Sequence, residues 1–183
     1  SLGVHHLTHD ITPYNTFEAS YRLFQTVDYW PKGTTFVSVV DPGVGSSRKS
    51  VVALTKTGQY IVTPDNGTLS YIKKDVGIVA VREISEVENR RSNTELSYTF
   101  HGRDVYAYTG AKLASGHISF EEVGPELPVD KILELPVVET IIEDNLVRGA
   151  IDILDVRFGS LWTSITRDDF YALEPNFGDR FEV

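Results

Sequence analysis

Val40-Asp41-Pro42-Gly43-Val44-Gly45-Ser46-Ser47-Arg48 is the stretch that decides the fold class. It follows the apolar run 36–40, which predicts a buried strand. Its Pro and Gly residues then predict a turn. Asp41 and Arg48 stand at opposite ends of that turn, at the carboxyl end of the strand. Open α/β sheets bind ligands at that end. A second segment, Thr99-Phe100-His101-Gly102-Arg103-Asp104, predicts the opening of a helix. An Asp, an Arg and a His on two such turns can orient and deprotonate a water.

Outward from that stretch, the order of elements predicts an α/β unit. Asn15 or Thr16 can cap a helix over 17–29, with Ala19, Leu23 and Val27 facing a core. Pro31-Lys32-Gly33 ends it. Segments 51–54, 60–63 and 78–82 are rich in β-branched residues and predict strands. Pro64-Asp65-Asn66-Gly67 predicts a turn at a strand end, with a short helix near 68–74. Residues 86–97 are polar and predict a surface loop. Residues 103–115 predict a helix that buries Val105, Tyr108 and Leu113 and stops at Gly116. Strands alternating with helices indicate an α/β domain, a Rossmann-like layered sheet, over 1–124. Gly124-Pro125-Glu126-Leu127-Pro128 and Pro136 mark a Pro-containing linker over 125–138. Beyond it, 137–142, 147–156 and 161–165 predict strands with tight turns. That shift indicates a second, all-β domain over 139–183. The chain holds no methionine, and 3–11 resembles the end of a strand entering a turn. Both features predict a fragment of a longer polypeptide, with the second domain truncated.

The 183 residues carry a net charge of -9, which argues against a general nucleic-acid binder. A chain that is 41% hydrophobic and 23% charged fits a globular protein acting on a small molecule. Cysteine is absent, which excludes disulfides, thiolate metal sites and Cys nucleophiles. Neither a signal peptide nor an 18-residue apolar run is found, so a cytoplasmic location is expected. Asn66-Gly67-Thr68 fits a glycosylation sequon and is read as chance.

Gly43-Val44-Gly45-Ser46-Ser47-Arg48-Lys49-Ser50 invites a phosphate-loop reading, but Arg48 stands where both that loop and the dinucleotide fingerprint need Gly. His5, His6, His9 and Asp10 invite a metal reading. Zinc needs three or four converging ligands, and on an extended segment His5 and His6 point to opposite faces. No metal is therefore expected. His101, just before a helix where backbone amides are free, suits a structural role as well as a ligand contact. Asp41 is also a turn former, Arg48 can be a plain surface charge, and Asp152 and Asp155 can be turn caps.

Five ordered segments together resemble the S-adenosyl-L-methionine hydroxide adenosyltransferase family, which is related to the fluorinating and chlorinating enzymes. They are Leu7-Thr8-His9-Asp10-Ile11-Thr12-Pro13-Tyr14, the 40–45 turn with Arg48, Pro64-Asp65-Asn66-Gly67, the 99–104 segment, and Phe158-Gly159-Ser160-Leu161-Trp162-Thr163-Ser164-Ile165. The resemblance covers essentially the whole chain. It implies an N-terminal α/β domain, a C-terminal β-barrel, and a homotrimer with its sites at subunit interfaces. It also implies hydrolysis of S-adenosylmethionine to adenosine and methionine, with no cofactor. Its catalytic positions fall on Asp41, Arg48 and His101. Its substrate-binding positions fall on Tyr14, Phe100, Gly102, Asp155 and Ser160, where Ser160 replaces the usual Asn. Halogenating relatives carry Tyr at Asp41, Thr at Val44, Tyr at His101 and Ser at Gly102. They also carry a longer insertion where this chain has Lys56-Thr57-Gly58. These differences favour water over halide as the nucleophile. The competing readings are a halide-dependent adenosyl transferase and a non-catalytic S-adenosylmethionine- or adenosine-binding module.

Overall fold

Asn15 caps helix α1 (Thr16–Val27) by accepting a hydrogen bond from the Glu18 backbone. The computed structural model describes residues 3–182. Expectations that touch residues 1, 2 and 183 lie outside them. As predicted, Ala19, Leu23 and Val27 form the buried stripe of α1. The opening segment 3–11, expected to end a strand, joins no sheet.

Strand β1 (Thr35–Val37) is shorter than the predicted 36–40. Ser38 still donates its N–H to the Val62 carbonyl at 3.0 Å, and the chain then leaves the sheet for the 41–48 turn. Strands β2 (Ser50–Thr55) and β3 (Tyr60–Pro64) cover the predicted 51–54 and 60–63 and form a hairpin across Lys56-Thr57-Gly58. A wide π-type turn at Ile72–Val76 replaces most of the short helix expected near 68–74. Strand β4 (Ile78–Glu83) follows, then a one-turn helix α2 (Glu86–Asn89). The polar segment 86–97 is therefore not all loop. Asn89, at the end of α2, is buried and donates to the Val123 carbonyl at 2.9 Å.

The second predicted helix is also altered. Residues Gly102–Ala107 wind in the wider π form before α3 (Tyr108–Ala114) begins. Such turns shift the face that points inward and recur at functional sites. Tyr106 is buried, and Tyr108, expected in the core, is only half-buried.

Strand β5 (Glu126–Leu127) pairs with β4, and Ile132 joins the core. Most of the stretch expected as a linker is thus part of the first unit, because its backbone completes a sheet edge. The chain divides between Leu135 and Pro136.

The sheet of the first unit has the order β1-β3-β2-β4-β5, with one parallel pair (β1 and β3) and three antiparallel ones. Period-2 alternation explains its burial on both sides. Val51, Ala53 and Ile61 face α1, joined by Leu23, Phe36 and Ile72. Val52 and Val62 face the opposite side, joined by Val105, Tyr106 and Leu113. Each large aliphatic side chain buried this way contributes about 1.5–3 kcal/mol. Helices on both faces make a layered α/β unit with a mixed sheet.

The second unit contains two hairpins. One joins β6 (Ile141–Glu143) to β7 (Leu146–Arg148), and the other joins β8 (Ile151–Asp155) to β9 (Ser160–Thr163). A short helix α4 (Arg167–Tyr171), which was not expected, follows them. Thr166 and Asp169 form its capping box, a signal that is present in the sequence.

Candidate active site

The 41–48 turn is pinned at its start and shaped by glycine. Asn66, at the end of β3, donates its side-chain N–H to the Val40 carbonyl at 2.8 Å. Gly45 has φ +80, and a Cβ there would lie 3.1 Å from the Tyr98 carbonyl oxygen. Both facts require glycine. On the second turn, a Cβ at Gly102 would lie 3.0 Å from Val39 Cγ1, so a bare backbone lets residue 101 approach β1.

Arg48 grips Asp41 with two groups: Nε donates to Oδ1 at 2.9 Å and Nη2 to Oδ2 at 2.5 Å. The two side chains are only 9% and 6% exposed. The remaining face of Arg48 reaches Ser50 Oγ through Nη1 at 3.0 Å and His101 Nδ1 through Nη2 at 3.0 Å. Ser50 Oγ lies 3.1 Å from Tyr106 Oη, whose hydroxyl donates to Asp41 Oδ2 at 3.5 Å. These contacts close a ring: Arg48 donates to Ser50, Ser50 to Tyr106, and Tyr106 to Asp41. Burial pushes the Tyr106 hydroxyl pKa well above its usual value, so it keeps the proton that this ring requires.

His101 is buried, and its far side faces Arg90. Arg90 Nη2 lies 3.1 Å from His101 Nε2 and also bonds Glu86 Oε2. Glu86 Oε1 is 4.0 Å from His101 Nδ1. Burial lowers the His101 pKa from the ordinary 6.5; Glu86 raises it, Arg48 and Arg90 lower it, and Asp41 raises it. The net direction is down, so the ring is neutral at pH 7.

The two turns therefore bring Arg48 into direct contact with both Asp41 and His101. Tyr14 and Phe100 belong to the same unit and are 77% and 56% exposed. Tyr14 has φ 70, a left-handed conformation that is uncommon for an aromatic residue. Phe100 lies under the Arg103 guanidinium at 5.0 Å. Asp155 and Ser160 sit in the second unit, directly opposite each other across β8 and β9. Asp155 Oδ1 accepts from the backbone of Arg157 at 3.1 Å and Phe158 at 3.3 Å, a turn-capping arrangement. Ser160 Oγ accepts from Trp162 Nε1 at 3.3 Å. Among the described residues, no group of three or more His, Asp and Glu side chains converges as a metal site. His6 and His9 pair with each other, Nδ1 to Nε2 at 2.9 Å.

Four members of the cluster were not anticipated: Ser50, Glu86, Arg90 and Tyr106. Glu86 and Arg90 carried the one usable signal, opposite charges four apart, which is helical ion-pair spacing.

Residues 1–124 match the sequence model of the SAM hydroxide adenosyltransferase N-terminal domain. The (R)-S-adenosyl-L-methionine hydrolase of Methanocaldococcus jannaschii is 36% identical over 163 residues, 89% of this chain and 54% of that protein. A fluorinase from Actinopolyspora mzabensis is 25% identical over 198 residues, 96% of this chain and 65% of the relative. A crystal structure of a conserved protein from Thermotoga maritima superposes with a TM-score of 0.90 at 37% identity, over 98% of this chain and 66% of that one. The chain thus spans roughly half to two-thirds of the length of these relatives.

Proposed function

This chain belongs to the S-adenosyl-L-methionine hydroxide adenosyltransferase family, and from that premise we propose that the full-length protein splits S-adenosylmethionine with water into adenosine and methionine. The observation that carries the proposal is the buried contact of Asp41, Arg48 and His101, drawn from two separate turns. Water attacks the ribose C5′, a C–O bond forms, and the C5′–S bond breaks with its electron pair going to sulfur. Methionine leaves as a neutral thioether and needs no general acid. One proton must leave the attacking water.

Asp41 is the group that fits that proton best. Its Oδ1 accepts from Arg48 and, as a carboxylate oxygen, keeps a second lone pair for a water. Both ring nitrogens of His101 instead face guanidinium donors. His101 thus serves to place Arg48, and Arg48 stabilises the developing hydroxide. Proton transfer of this kind is worth about 10²–10⁴-fold, with alignment adding to it. A carboxylate at position 41 repels halide, which disfavours the halogenase reading. An intact Asp, Arg and His set disfavours a passive binding module.

Tyr14, Phe100 and Gly102 form the proposed wall of the pocket, and Asp155 and Ser160 hold the methionine end. The exposure of Tyr14 and Phe100 suits aromatics that a second subunit covers, in a cytoplasmic homotrimer. The second unit is then the start of a β-barrel domain. The M. jannaschii relative is named for the R epimer at sulfur, which we take as the preferred substrate.

Product chromatography in ¹⁸O-water, on R and S epimers with and without chloride, tests the proposal. The expected products are ¹⁸O-labelled adenosine and methionine, formed faster from the R epimer. Chlorodeoxyadenosine, or no turnover of either epimer by the full-length protein, overturns it.

A further inference from the structure

Arg90 is an unusual neighbour for a histidine that already has an arginine. Its side chain is 8% exposed, and it sits at the end of α2, in a segment whose sequence indicates a loop. Three anchors hold it: the Glu86 carboxylate, the Ser97 carbonyl at 3.2 Å, and the more distant Thr94 carbonyl at 3.5 Å. Its remaining Nη2 hydrogen points at His101 Nε2, while Arg48 points at Nδ1.

A guanidinium only donates, and a neutral imidazole has one lone pair and one N–H. Only one of the two arginine contacts is therefore a hydrogen bond at any moment. An imidazolium, with two N–H groups, would meet a donor on both sides. The surroundings of His101 thus disfavour its charged form by geometry as well as by burial. The charged groups facing the ring are Arg48, Arg90, Glu86 and Asp41.

We propose that Arg90, tethered by Glu86, is a positioning residue that competes with Arg48 for the lone pair of His101 and holds the ring neutral and fixed beside Asp41 and Arg48. Its effect on turnover rests on the hydrolase reading, and its effect on His101 does not.

The test is ¹H–¹⁵N NMR titration of His101, together with pH profiles of the full-length protein, for the wild type, Arg90→Met, Arg90→Lys and Glu86→Gln. In Arg90→Met, His101 is expected to titrate at higher pH than in the wild type, and the acid limb of kcat/KM should move up with it. kcat should fall roughly 10- to 100-fold with KM little changed, the size expected for misplacing a reacting group. Arg90→Lys, which keeps the charge, should restore the His101 titration. Glu86→Gln removes the charge of the tether while leaving the contact to Ser97, so it covers the case in which Arg90→Met fails to fold. It should lower kcat and alter the His101 nitrogen shifts. An unmoved His101 titration in Arg90→Met, an unrescued Arg90→Lys, or wild-type His101 signals in Glu86→Gln would each overturn the assignment. Should His101 respond as expected while the full-length protein leaves S-adenosylmethionine intact, the positioning role stands and the hydrolase reading falls.

Discussion

The 41–48 cluster and the β8–β9 hairpin hold their side chains in opposite ways. Asp41, Arg48 and His101 come from segments up to 60 residues apart in sequence, are buried, and are linked through Arg48. Asp155 and Ser160 face each other across a single hairpin, Ser160 exposed, and their described contacts lie within a few residues. A buried cluster ties chemistry to folding, because removing one member strands the others. A local hairpin leaves its side chains replaceable at little cost to the fold.

The contrast is easiest to break with Asp41→Ala. Turnover is expected to fall about 10²–10⁴-fold with substrate binding retained. Stability should also drop by roughly 3 kcal/mol, since Arg48 is left buried and unpaired. Steady-state kinetics and denaturant melts check both, and wild-type rates would remove Asp41 from the mechanism. A pH series sharpens the contrast next. The folded-state pKa of His101 lies below its unfolded value, so the unfolded chain binds the proton more readily. Stability should then be intact above about pH 6.5 and decline as pH falls below it, levelling once the folded-state pKa is passed. Thermal melts between pH 8 and pH 5 should show that slope, and His101→Gln should flatten it. The smallest stability effect belongs to Asp155→Ala. It should shift the melt by about 1 kcal/mol, the size of a lost turn-capping hydrogen bond. In the full-length protein it should raise KM for S-adenosylmethionine. A cooperative loss of folding would show that the hairpin is not the local element described here.

Much of this was legible because it is local. The cap at Asn15, the stripe Ala19, Leu23 and Val27, the hairpin at Lys56-Thr57-Gly58 and the turn after β1 each follow from a few adjacent residues. Where longer-range pairing decided, the expectation failed. Pro125-Glu126-Leu127-Pro128 has the composition of a linker, yet its backbone supplies a fifth strand to β4. Tyr106 shares a helix face with Leu113, yet nothing in its own neighbourhood shows that its hydroxyl meets Ser50 and Asp41.

By itself, the sequence determined that Asp41, Arg48 and His101 stand on turns beside buried strands, because turn chemistry and hydrophobic period are written residue by residue. Only the tertiary structure decided that Arg48 touches both Asp41 and His101, that Ser50 and Tyr106 close a ring with Arg48 and Asp41, and that Arg90 stands on the far side of His101. Those contacts depend on the order in which strands pair and on the pitch of one helical turn. Both are settled by packing of the two sheet faces rather than by any neighbouring residue.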